Sequence, residues 1–175
     1  FEVKPSDLLI GIRFRPGRWR SLFGVPGKEL TDRSPALEDV WGARARNIQE
    51  RIDNAKSPED SISILASSVP AVPERTRLEK AFAWMETTHG GVDVDLIAHQ
   101  AGMSARQFRR VCSDRTGLPP KMLAQVLRFR HASSLIRSYA GDHAGLSVDC
   151  GYFDQSHLIA EFQRFSGRTP GESLK

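Results

Sequence analysis

From Glu74 onward, apolar residues recur at intervals of three and four and nowhere alternate with period two over a useful length. That spacing gathers them on one side of a helix, so the second part of the chain is predicted to be entirely α. The first such segment, 74–88, carries Leu78, Ala81, Phe82 and Met85 on one face and stops at His89-Gly90-Gly91. Further helices are predicted over 94–101, 104–116, 119–139, 143–150 and 154–165, with a short tail from Pro170. Upstream, Leu37, Val40, Trp41, Ala45, Ile48 and Ile52 keep the same period, and Ser57-Pro58-Glu59-Asp60 has the form of a helix cap. Residues 1 to about 35 differ. They join the apolar run Leu8–Ile12 to the turn formers Arg15-Pro16-Gly17 and Val25-Pro26-Gly27, which predicts a strand leading into short helices. Two prolines in Val69-Pro70-Ala71-Val72-Pro73 favour an extended connection. The chain thus divides into a first domain over 1–68, a linker over 69–73 and a helical domain over 74–175.

The helical part contains a repeat. Ile97, Ala98 and Gly102 match Leu146, Ser147 and Gly151 at an offset of 49. After one extra residue in the turn, Phe108, Cys112, Gly117 and Pro120 match Leu158, Phe162, Gly167 and Pro170 at an offset of 50. Each copy is a short helix, a turn containing Gly, and a second helix with apolar residues four apart. That is the description of a helix-turn-helix, whose second helix enters a major groove. The connecting helix of roughly 20 residues spans ~30 Å, close to the ~34 Å of one B-DNA turn. Two recognition helices on one chain can then address successive major-groove segments.

Charge sharpens this expectation. The net charge is +4, but Ser104 to Arg137 holds eight basic residues and a single acid, Asp114. A local charge of +7 suits a polyanion, whereas a merely solvated helix face usually carries both signs. Composition, at 39% hydrophobic and 26% charged over 175 residues, is that of a globular chain. No apolar run is long enough to span a bilayer and no signal peptide is evident, so a cytoplasmic, nucleoid-associated protein is expected. The chain begins at Phe1, which suggests a piece of a longer protein. Cys112 and Cys150 lie inside apolar patterns without zinc-finger spacing, and are expected to be buried thiols.

At these residues the chain resembles the DNA-binding domain of the AraC/XylS transcription regulators. The resemblance rests on Ile97-Ala98, Gly102-x-Ser104, Arg106-x-Phe108-x-Arg110, Gly117-x-x-Pro120, Arg128-x-x-x-Ala132, Gly151-Tyr152, Asp154-x-x-His157, Phe162 and Gly167-Arg168-Thr169-Pro170, and covers about 75–175. It implies a mainly α, seven-helix, two-lobed double helix-turn-helix domain that binds promoter DNA in sequence-specific fashion. It also implies a transcriptional activator, partnered by RNA polymerase, that can form homodimers. Residues 11–42 resemble the C-terminal end of the sensory domain of some members, so the first part is expected to be a truncated strand-plus-helices remnant. A small-molecule effector would then act through the missing upstream part.

By that family's geometry, Ala105, Arg106, Arg109 and Arg110 face the groove from the first recognition helix. Arg106 and Arg109 are the leading base readers, because a guanidinium can address guanine O6 and N7 together; Arg110 reads a base, holds a phosphate or packs. On the second helix, Gln155, Ser156 and His157 occupy the groove-facing turn, with Asp154 as its N-cap. Ala160 departs from the pattern, which has Arg there, so the second half is expected to bind more weakly. Lys121, Arg128, Arg164, Arg168 and Thr169 are expected at phosphates, the helix starts after Gly117 and Gly167 adding N–H donors.

Two other readings compete. Asp154, His157 and Glu161, at spacings of three and four, share a helix face as metal ligands or acid/base groups would. Yet Ser156 and His157 point about 100° apart and cannot form a nucleophile and base pair, and no further ligand has a recommending spacing. A protein-interaction module would need an exposed apolar face where this sequence has arginines. No enzyme activity, metal or cofactor is therefore expected.

Overall fold

A computed structural model describes residues 8–70, 76–139 and 141–174. The first part holds α1 (Arg18–Phe23), a 3₁₀ turn at Gly27–Glu29, α2 (Leu37–Trp41), α3 (Ala43–Asp53) and α4 (Pro58–Ser68). The second holds α5 (Arg77–Thr87), α6 (Val94–Gln100), α7 (Ala105–Thr116), α8 (Pro120–Leu135), α9 (His143–Asp149) and α10 (Gln155–Ser166). A 3₁₀ turn at Ile136–Tyr139 extends α8, and another at Glu172–Leu174 closes the chain. Most of the linker predicted at 69–73, from Ala71 on, lies outside the described residues, as do Glu74 and Arg75.

The expected strand is corrected. Among the described residues there is no strand, and Leu8 and Leu9 stand 67% and 63% exposed in irregular chain. An isolated extended segment has no neighbour to complete its ladder of hydrogen bonds, so an apolar run alone does not make it a strand. The helices fall where the periodicity puts them because their ends are capped locally. Ser57 Oγ accepts the Asp60 N–H at 3.1 Å. Thr76 and Glu79 form a reciprocal capping box at the start of α5, and Ser104 and Gln107 do the same at α7.

Two cores follow from the two copies. Leu78, Ala81, Phe82 and Met85 of α5 pack with Ile97, Ala98, Phe108, Cys112, Leu123 and Leu127. Ala132, Ile136, Leu146, Cys150, Tyr152, Leu158 and Phe162 form the second, against which Phe129 and Leu135 pack half-buried. Phe108 and Phe162 are almost wholly buried, and truncating either to Ala costs ~3–5 kcal/mol. α8 joins the lobes: its 16 residues span ~24 Å at ~1.5 Å each, and the four 3₁₀ residues after it add ~8 Å.

The first part does not stand clear of the first lobe. Trp19 of α1 stacks on Phe23, with ring centroids 4.1 Å apart, and Phe23 meets Trp41 at 4.5 Å. The same short helix reaches α7, where Arg20 pairs with Asp114 and Arg115 donates to Ser21 Oγ at 3.0 Å. Gly27 lies against the end of α7 so closely that a Cβ there would stand 2.6 Å from Gly117 N and 2.7 Å from Thr116 C. Backbone meets backbone, and only glycine at position 27 permits it.

Candidate nucleic-acid interface

The two halves repeat down to their hydrogen bonds. Asp93 and Asp142 cap α6 and α9, Gly102 and Gly151 turn the chain at φ +71° in both, and Ser104 and Asp154 cap α7 and α10. Where each second helix ends, the hydroxyls of Thr116 and Ser166 donate to the carbonyls of Cys112 and Phe162 at 2.8 Å. They also accept the N–H groups of Leu118 and Arg168, at 3.2 and 3.3 Å. A glycine in the left-handed region, where a side chain would be strained, makes each bend sharp enough to lay the second helix across the first.

On α7, Phe108 and Cys112 point into the core, and Arg106, Arg109 and Arg110 stand exposed on the other side; Ala105 is half-buried. None of these three arginines makes an ion pair or side-chain hydrogen bond among the described residues. Their only acidic neighbour in the sequence of the helix, Asp114, is taken by Arg20. The cluster is therefore a set of unneutralised cations on one helix face. It sits in the first turns of α7, where the free N–H groups add positive potential. The Cys112 thiol is pushed up to about 11 by burial, partly offset by the hydroxyl of Thr116, so it is a packing group and not a thiolate.

The second helix is built differently at the same positions. With the offset of 50, Ser156, Ile159 and Ala160 stand where α7 has Arg106, Arg109 and Arg110. Gln155 and Ser156 are exposed, and Asp154 Oδ1 accepts the His157 N–H at 2.7 Å as the cap predicted for it. His157 is only half-exposed. Its Nδ1 accepts the Phe153 N–H at 3.5 Å and its Nε2 lies 3.6 Å from Glu161 Oε1. Its ring also meets Tyr152 edge-on at 5.3 Å.

Glu161 is the counterpart of Val111; it is 4% exposed, and among the described residues neither carboxylate oxygen has a hydrogen-bond partner. The Tyr152 phenol is held well above its ordinary range by burial and by the neighbouring Glu161 charge. The spacing of Asp154, His157 and Glu161 is thus real, but they do not converge as metal ligands. The Asp154 carboxylate is spent on the backbone, and among the described residues no three such groups are placed to hold a metal ion.

The five residues expected at phosphates divide in their surroundings. Lys121 and Arg168 are exposed, with side chains that make no ion pair among the described residues. Arg128 donates to the Gly151 carbonyl at 3.3 Å and lies over the Tyr152 ring, tying α8 to the second turn. Arg164 reaches the Met122 sulfur at 3.6 Å and lies over Phe165. Both the N–H and the hydroxyl of Thr169 are bonded to Glu172 Oε2, at 2.7 and 2.8 Å. Periodicity gave no sign of Phe153, which is 90% exposed beside the start of α10. It is the extra residue of the second turn, since Tyr152 N–H donates to the Ser147 carbonyl as Met103 N–H does to that of Ala98, and the change of offset from 49 to 50 was the available signal.

A helix-turn-helix domain family matches residues 97–175, across both copies. Residues 97–175 form a helix-turn-helix domain of the AraC type. The chain is also similar to the HTH-type transcriptional activator RhaS of Escherichia coli O157:H7 and of Escherichia coli O1:K1 / APEC. Each is 30% identical over 122 residues, which are 69% of this chain and 37% of the relative. The match therefore spans little more than a third of the length of the curated relatives. The AraC-type domain accounts for the double fold, the shared caps and the paired glycines; its family is one of DNA-binding regulators and not of enzymes. No helix among the described residues is long and apolar enough to cross a membrane.

Proposed function

We propose that this chain is a sequence-specific DNA-binding transcription regulator that reads its site mainly with α7 and secondarily with α10. The observation that carries this reading is the face of Arg106, Arg109 and Arg110: exposed, unpaired, and mounted on a helix whose other side is fixed by Phe108 and Cys112. Arg106 and Arg109 read base edges and Arg110 reads a base or neutralises phosphate, with Ala105 against the groove wall. From α10, Gln155 and Ser156 meet base edges; His157 contributes through the exposed part of its ring while its nitrogens hold the turn together. Lys121 and Arg168 are the freest phosphate contacts. Arg128, Arg164 and Thr169 take phosphates beside the intramolecular contacts they already make.

The relatives are named transcriptional activators, and we assign the same sense of regulation here, with RNA polymerase as partner and with homodimerisation and a bacterial nucleoid location following from the family. Selection of duplexes from random DNA by this chain tests the reading, followed by titration of the selected duplex at several salt concentrations. The expected result is a site with two blocks of information about one helical turn apart, the block under α7 carrying more. Affinity should fall steeply with salt, log K changing by ~0.9 per phosphate neutralised for each unit of log salt. No enrichment, or binding indifferent to salt, refutes the proposal.

A further inference from the structure

Among the described residues, Phe153 is the most exposed large apolar side chain, at 90% against 75% for Val148 and 67% for Leu8. It packs in neither core, so its ring does nothing for the fold. Its backbone is nevertheless held on both sides. The Tyr152 N–H donates to the Ser147 carbonyl at 2.8 Å, the Phe153 N–H donates to His157 Nδ1 at 3.5 Å, and the Asp154 carboxylate caps α10 at the His157 N–H. Tyr152 is 6% exposed on the core side of this turn, and Phe153 is thereby turned outward one residue before the cap of α10. The first turn of that helix offers Gln155 and Ser156. At the positions of Arg106, Arg109 and Arg110 it has Ser156, Ile159 and Ala160, so it lacks there the guanidinium groups that favour guanine. What it presents suits an A·T pair: a glutamine can address adenine N6 and N7 together, and an apolar ring can pack on the thymine C5 methyl. That methyl is displayed in the major groove, where the N-terminal end of a recognition helix lies.

We propose that Phe153 is a specificity-determining residue that packs on the C5 methyl of a thymine in the DNA under α10, an inference that rests on the DNA-binding reading of that helix. The contact removes two apolar groups from water, and little ordering is needed because the turn that carries the ring is already fixed. The two halves of the protein then discriminate by different chemistry. α7 selects guanine with charged donors, and α10 selects thymine with an apolar ring beside Gln155. The ring contact neutralises no phosphate, so its loss leaves the salt dependence of binding as it was. Since the side chain is 90% exposed and outside both cores, its replacement leaves the fold intact.

Methyl deletion in the DNA tests the assignment. The 175-residue chain first selects its site from random duplexes. Each thymine of that site is then replaced singly by deoxyuridine, which keeps the pairing and removes only the methyl. Parent and Phe153→Ser are titrated with every duplex by fluorescence anisotropy, beside a thermal melt that should be the same for both. At one thymine the parent should lose affinity ~4-fold when the methyl is removed, the equivalent of one buried methyl group. Phe153→Ser should bind the thymine and uracil duplexes of that position equally, with the salt slope of the parent. At every other thymine the two proteins should respond alike. A parent indifferent to every methyl, or a variant that keeps the same methyl preference, overturns the assignment. So does a variant that binds all the duplexes as tightly as the parent, which would give Phe153 to a protein contact. Failure to select any duplex overturns the DNA-binding reading and this assignment with it, and the absence of a salt-sensitive complex distinguishes that outcome from the others.

Discussion

Replacing Arg106 by Ala separates base reading from simple charge. Arg106 is the second residue of α7, exposed, and without an ion pair. Its removal strands no buried partner, and Ala is at least as good a helix former, so the melting temperature should hardly move. Whatever changes is interface energy. A bidentate contact to guanine gives ~1–3 kcal/mol of discrimination, a loss of ~5- to ~160-fold in affinity for the selected duplex relative to a scrambled one. The slope of log K against log salt should stay nearly constant if the loss is of base contacts alone. Fluorescence anisotropy with both duplexes at four salt concentrations, beside a thermal melt of the variant, reads all three quantities. Equal weakening on both duplexes, with the salt slope reduced by ~0.9, would show Arg106 to be a phosphate contact and refute its assignment.

Ala160 is exposed at the position of α10 that matches Arg110, so Ala160→Arg should tighten binding and raise the salt slope by ~0.9; an unchanged titration at fixed salt counts against α10 lying near the phosphates. Gly27→Ala forces a Cβ to within 2.6 Å of the backbone at Gly117, and overpacking of this kind costs ~1–3 kcal/mol. For a chain of this size that is a fall of ~2–12 °C in melting temperature, and an unaltered melt would mean that the first part does not press on α7. His131 stacks on His89 with ring centroids 3.5 Å apart, and its pKa is lowered from 6.5 by burial and then by the His89 charge. Because the folded state then binds its proton at lower pH than the unfolded state, stability should rise with pH through the window just below 6.5 and fall on acidification. NMR titration of the His131 ring at or above 6.5 would contradict the stacked geometry.

Much of the arrangement of α7 and α10 was legible in the sequence because its determinants are local. Ser104 three residues before Gln107, Asp154 three before His157, and the glycines at 102 and 151 set helix starts and bends within a few residues of themselves. The periods of three and four then oblige Phe108 and Cys112, or Leu158 and Phe162, to face inward, which turns Arg106, Arg109 and Arg110 outward. Leu8–Ile12 misled for the complementary reason. A strand is defined by a partner, and the apolar run has none among the described residues.

The sequence by itself determined the helices, the repeat and the face on which the arginines stand, since capping, periodicity and backbone preference act over one or two turns. What only the tertiary structure decided concerns groups far apart in the chain. Arg20 neutralises Asp114 across 94 residues and so removes the one acid of the basic stretch. Glu161 lies buried beside Tyr152 and His157, where its counterpart Val111 is an ordinary packing residue. Gly27 meets Gly117 backbone to backbone beside a cleft lined by five arginines. No spacing rule reaches these, because each depends on which surfaces remain to be covered once the helices have formed.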